Sequence, residues 1–127
     1  MRRKIDDGLL ATLGRGTAAL MLAMCLTFLI GQAAHAHPPK SVLLSLQGDT
    51  LTVNVEHGVN DPQKHYVYRI IVYVNDKVAA QKEYTAQQSP QGLSDTFNLG
   101  SVPAGANVKA EAFCVIMGST TGSMKAP

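Results

Sequence analysis

Two histidines, His57 and His65, bracket one short loop, Glu56-His57-Gly58-Val59-Asn60-Asp61-Pro62-Gln63-Lys64-His65-Tyr66. A neutral imidazole offers a nitrogen lone pair near physiological pH, so two rings that converge can hold a transition metal or move a proton. Convergence is decided by the flanks. Before the loop, Leu51, Val53 and Val55 alternate with Thr52, Asn54 and Glu56, the period-two pattern of a half-buried strand. After it, residues 66–74 are β-branched or aromatic apart from Arg69, which reads as a second strand. Asn60-Asp61-Pro62 forces a turn between the two. His57 therefore leaves one strand as His65 enters the next, and the rings can meet. The plainer alternative is a pair of solvated loop histidines.

Two further residues could join them. Residues 1–36 read as an export signal: Arg2, Arg3 and Lys4, then an apolar run over 18–30, then Ala34-His35-Ala36 with small residues at the positions a signal peptidase reads. That run is too short to span a bilayer comfortably. The alternative is an uncleaved anchor. Cleavage after Ala36 makes His37 the first residue of the mature protein. It also removes Cys25 and leaves Cys114 as a lone cysteine in an exported, most simply periplasmic, domain. Small exported domains usually pair their cysteines. A lone thiol there is either buried in the core or used chemically. The charges of 37–127 cancel, so the formal net charge of +2 of the whole chain resides in the leader. With no basic patch, nucleic acid is a poor partner, and no membrane association is expected once the signal is removed.

The remaining elements follow from turn chemistry. Val42, Leu44 and Leu46 form a first strand, and Gln47-Gly48-Asp49-Thr50 turns it back into residues 51–55. Residues 78–84 follow the Asn75-Asp76-Lys77 turn, residues 87–92 form a polar surface loop, residues 93–99 make a fifth strand, and residues 108–116 the last clear one. Residues 117–127 are small and polar and read as loosely held. No stretch of 37–127 has a helical apolar period. Six to seven short strands at this spacing predict an all-β fold, an immunoglobulin-like antiparallel β-sandwich over 37–127.

In such a sandwich, loops distant in sequence share an end, so His37, His57, His65 and Cys114 can form one site. Imidazole nitrogens with one thiolate suit iron, copper or zinc and exclude calcium and magnesium. The absence of a CxxC pair and of HExxH argues against a structural zinc knuckle or a zinc protease.

The segments His57-Gly58, Lys64-His65-Tyr66-Val67, Val72-Tyr73-Val74-Asn75-Asp76-Lys77 and Ala110-Glu111-Ala112-Phe113-Cys114 together resemble the iron domain of desulfoferrodoxin and superoxide reductase. The resemblance implies an immunoglobulin-like sandwich and a mononuclear iron held by four planar histidines and one cysteine thiolate, with one face open. Superoxide, taking an electron from the ferrous ion and two protons, would leave that face as hydrogen peroxide, and an unknown donor would return the electron to the iron. Residue by residue, His57 and His65 match two planar histidines and Cys114 the thiolate. His37, 20 residues before His57, matches the first planar histidine. Met117 stands where the family has its last histidine, three residues after the cysteine. It is a candidate weak thioether ligand or an apolar filler, the latter being the expectation. The family's Glu-Lys pair before the first histidine is missing, so Lys40 or Lys64 is the candidate source of positive charge for an anionic substrate; the alternative for each is a solvated lysine. The loop from His57 to His65 is also slightly longer than the family's.

The expectation is thus an exported iron protein acting on superoxide or another small oxidant. Copper is the alternative cofactor. A free amine beside the imidazole of His37 would suit Cu(II), and Cys114 and Met117 would suit Cu(I), as in a carrier. A third reading is a sandwich that binds a protein partner without metal.

Overall fold

A computed structural model describes residues 36–127. The export-signal reading, Cys25 included, concerns residues 1–36, and all of it but Ala36 lies outside the described residues.

Among the described residues, seven strands form two antiparallel sheets. β1 (Ser41–Gln47), β2 (Thr50–Glu56) and β5 (Gly92–Asn98) make one, in the order β1-β2-β5. β3 (Val67–Val74), β4 (Lys77–Glu83), β6 (Asn107–Cys114) and β7 (Ser119–Lys125) make the other, in the order β4-β3-β6-β7. Side-chain alternation assigns the faces. Leu51, Val53 and Val55 of β2, Leu93 and Phe97 of β5, Ile70 and Val72 of β3, and Val108, Ala110 and Ala112 of β6 are buried between the sheets. Each fully buried aliphatic side chain contributes roughly 1.5–3 kcal/mol. Arg69, the polar interruption in β3, lies outside this core; its guanidinium sits 4.8 Å over the Phe113 ring and 5.3 Å from the Tyr68 ring.

The turns behave as their residues demand. Asn75 and Asp76 take φ of 48° and 65°, the left-handed pair that a two-residue hairpin between β3 and β4 needs. Gly48, at φ 59°, does the corresponding work between β1 and β2.

The C-terminal segment departs from expectation. Residues 117–127 are not loosely held: β7 pairs with β6 from Asn107–Lys125 to Phe113–Ser119. Its side chains are small and polar, so no apolar alternation announces it, and backbone pairing supplies what the pattern lacks. Gly122 is required there, because a Cβ would stand 2.1 Å from the Val42 carbonyl oxygen of β1. β6 also stops at Cys114 instead of running to residue 116, as the chain turns at Gly118 with φ 78°.

Register then decides what meets. Ser41 pairs with Glu56, Glu56 with Gly92, Arg69 with Glu83, and Val67 with Cys114. One end of the sandwich therefore gathers the segment before β1, the β2–β3 loop, the β4–β5 loop and the β6–β7 turn. Every histidine described, and the cysteine, belongs to that end.

Candidate metal centre

His57 arrives at the site as a continuation of β2. Leu51, Val53 and Val55 point inward, and the next inward position after Val55 is His57, which is fully buried. Its backbone is held by bonds from loop to loop: His57 N–H donates to the Gln91 carbonyl at 2.9 Å, and Val59 N–H to the Pro90 carbonyl at 2.8 Å. Its ring Nδ1 lies 2.9 Å from Gln87 Oε1, and its Nε2 lies 3.3 Å from the His37 carbonyl oxygen.

His65 is placed by a turn that Asp61 organises. The Asp61 carboxylate accepts from Gln63 N–H at 3.0 Å, and its carbonyl accepts from Lys64 and His65 N–H at 3.1 and 2.9 Å. This is the local chemistry by which Asp favours turns. His37 comes in on an extended segment stiffened by Pro38 and Pro39. Pro38 packs where a Cβ on Gly118 would lie 3.1 Å from it, and the Pro39 carbonyl accepts from the Thr120 hydroxyl of β7. The chain's first described segment is thus held by its last strand.

The three imidazoles form one group whose ligand atoms all lie within 4.8 Å of one another. Ring centroids are 5.2 Å apart for His37–His57, 5.1 Å for His37–His65 and 4.7 Å for His57–His65. His57 meets both other rings edge to face, at 79° and 84°, while His37 and His65 are tilted by 56°, so no pair stacks. Burial, with His57 and His37 beside it, lowers the pKa of His65 below the ordinary 6.5, against a hydrogen bond to the His37 backbone that raises it. His65 is therefore neutral at physiological pH, the form that can ligate.

Cys114 is both a core residue and a neighbour of the cluster. It follows Val108, Ala110 and Ala112 on the inward face of β6, and as the last residue of that strand its Sγ lies 3.1 Å from His65 Nε2. Ile116 N–H donates to the same sulfur at 3.4 Å, and Cys114 N–H donates to the Gly118 carbonyl at 2.9 Å. Between them, Val115, Ile116 and Met117 are exposed, Met117 by 54%. Met117 therefore fills no core, contrary to expectation, because a short turn after β6 leaves these three side chains nothing to pack on.

The lysines sit in ion pairs at the surface. Lys40 Nζ lies 2.8 Å from Glu56 Oε1, and their mutual bond raises the lysine and lowers the glutamate pKa. Lys64 Nζ lies 3.8 Å from Asp61 Oδ2.

One residue of the site is not foreseen from sequence. Gln87, in a stretch that reads as polar surface loop, is buried at 5% exposure and touches His57 directly. A lone glutamine in a loop gives no periodic signal. The inward placing of His57, by contrast, is legible as the fourth member of the series Leu51, Val53, Val55.

No protein-family model matches the chain, and no curated protein matches it by sequence. Solved structures do. A superoxide reductase (1Fe-SOR) from Giardia intestinalis aligns with a TM-score of 0.54 at 14% identity, over 70% of this chain and 99% of that one. A superoxide reductase (neelaredoxin) from Ignicoccus hospitalis aligns at 0.52 and 12% identity, over 76% and 86% of the two chains. A hypothetical protein from Pyrococcus horikoshii aligns at 0.50 and 18% identity, over 80% and 99%. The chain thus has a superoxide reductase-like β-sandwich fold.

Proposed function

We propose that residues 37–127 form a mononuclear iron-binding domain that reduces superoxide to hydrogen peroxide, with His37, His57, His65 and Cys114 as the metal donors. The observation that supports this most is the meeting of three imidazoles from three chain segments, with a buried thiol against one of them. The donor set fits the metal. Nitrogen with one sulfur suits iron, copper or zinc and lacks the oxygens that calcium or magnesium require. The likeness to superoxide reductases favours iron among these. Bound iron would supply the one-electron couple that the reaction needs.

The chain's own residues have separate tasks. Burial and the neighbouring imidazoles keep His65 neutral, so its lone pair is available. Ile116 N–H donates to the sulfur of Cys114 and helps hold it beside His65. Lys40 and Lys64 are exposed positive charges that would steer an anion towards this end of the sandwich. Met117, exposed, stands outside the donor set. Export to the periplasm, with loss of residues 1–36 and an electron donor met there, belongs to the same reading.

The test is native mass spectrometry with metal analysis of the protein expressed with its leader and purified without oxygen. One iron per chain and a sulfur-to-iron charge-transfer band on oxidation are expected. In Cys114→Ser the band should vanish and superoxide consumption should stop. Failure to take up iron even on reconstitution, or unchanged consumption by Cys114→Ser, overturns the proposal. One copper per chain would favour delivery of that metal instead. The same mass reports whether residues 1–36 have been removed.

A further inference from the structure

Gln87 is buried, and its side-chain amide uses every hydrogen-bonding position it has. Its Nε2 donates to the His57 carbonyl at 2.8 Å and to the Ser89 carbonyl at 2.8 Å. Its Oε1 accepts from Val67 N–H at 3.3 Å and lies 2.9 Å from His57 Nδ1. An amide has two N–H donors and two acceptor lone pairs, and all four are engaged. Its orientation is therefore fixed by chemistry: exchanging nitrogen and oxygen would set an oxygen against two carbonyls and an NH2 group against a backbone N–H.

That orientation determines the proton on His57. An amide oxygen only accepts, so Nδ1 of His57 carries the hydrogen, and Nε2 of the neutral ring carries the lone pair. Nε2 faces the His37 carbonyl oxygen at 3.3 Å, another acceptor, inside a fully buried residue. Two acceptors cannot satisfy each other, whereas a cation among the three rings would satisfy the nitrogen. Gln87 also spans the segments that must stay in register here, since its backbone N–H donates to the Pro62 carbonyl at 2.9 Å.

We infer that Gln87 is a positioning residue that locks His57 in the tautomer with hydrogen on Nδ1 and so presents the Nε2 lone pair to the centre of the histidine cluster. The tautomer stands on protein geometry alone; its consequence for metal affinity rests on the proposed iron site. Metal-bound histidines are commonly oriented through their second nitrogen in this manner, and loss of such a partner weakens metal binding by about 10–100-fold.

Nitrogen-15 NMR of the histidine rings tests this on the full chain without metal, at a pH above the ordinary imidazole range. Protonated Nδ1 and bare Nε2 are expected for His57. A wild-type His57 with its hydrogen on Nε2 overturns the inference without any variant being needed. Gln87→Met removes the acceptor and should erase the preference, and in an Fe(II) titration should weaken binding about 10–100-fold. Gln87→Glu keeps an oxygen against Nδ1, so it should retain the Nδ1–H tautomer, while its second oxygen now faces the His57 and Ser89 carbonyls and should lower the melting midpoint. If folded Gln87→Glu loses the tautomer as Gln87→Met does, the residue acts only by bracing the loops, and the inference is wrong. If wild type shows the tautomer but takes up no iron, the iron proposal falls and the tautomer lock stands.

Discussion

The two ends of the sandwich are built from the same inward-facing rows, and they finish differently. At the far end, β2 and β5 close on the apolar pair Leu51 and Phe97. The bonds there are local or extend a strand ladder: Gly100 N–H donates to Asn98 Oδ1, and Asn107 N–H to Asn75 Oδ1 just beyond the β3–β6 pair Val74–Val108. At the near end the same rows finish on His57 and Cys114, and the bonds run from one connection to another, through Gln87, the His37 carbonyl and the Tyr66 carbonyl, which accepts from Val115 N–H. The far end is stabilised by turn chemistry, by bonds that continue the strand ladders and by apolar burial, and can be read piece by piece. The near end is defined by side-chain contacts between separate loops, and holds the histidine cluster.

The sharpest way to break this contrast is to truncate one row at each end. Phe97→Ala should cost about 3–5 kcal/mol in chemical denaturation while leaving iron per folded chain unchanged. His57→Ala should abolish iron binding, and should cost the metal-free protein about 2–5 kcal/mol, from the cavity left by a fully buried ring and the partner lost to Gln87. Equal effects of both on iron content would mean that the ends are not separable.

A subtler pair isolates backbone strain. Gly48 and Gly118 have φ of 59° and 78°, but a Cβ on Gly48 meets nothing within 4 Å, whereas on Gly118 it presses on Pro38. Alanine at either position should cost about 1–2 kcal/mol from the left-handed backbone. Only Gly118→Ala should also weaken iron binding, by displacing the segment that carries His37; calorimetric titration of both variants decides this.

A smaller effect is expected from pH. The pKa of His65 in the folded, metal-free protein lies below the 6.5 of the unfolded chain, so on acidification the unfolded chain takes the proton first. Stability held above that ordinary value should drain away as pH falls from it through the lowered one, and the denaturation midpoint should drop accordingly. His65→Asn should flatten that part of the profile. The smallest change is expected from Lys40→Ala with Lys64→Ala: an unaltered melting midpoint, and slower superoxide consumption at low salt only. The difference should disappear near 1 M salt, where the screening length is about 3 Å.

What the sequence discloses divides along the same line. Strands such as β2 and β3 announce themselves because their burial is one-sided or complete, and the Asn75-Asp76 and Gly48 turns because they need positive φ. The convergence of His57 and His65 follows from two strands joined by one loop. β7 stays hidden because backbone pairing, not apolar alternation, holds it. Gln87 stays hidden because its function is a set of bonds to residues 57, 62, 67 and 89, and no local pattern encodes four such partners.

The bond from Thr120 to the Pro39 carbonyl joins residues 81 positions apart, and it braces the segment bearing His37. That segment precedes β1, and the strand that seats it follows β6, so the brace on His37 exists only once β7 has docked. On the proposed metal site, an ion met by His57 and His65 before that docking would lack the third ring and would bind weakly enough to exchange.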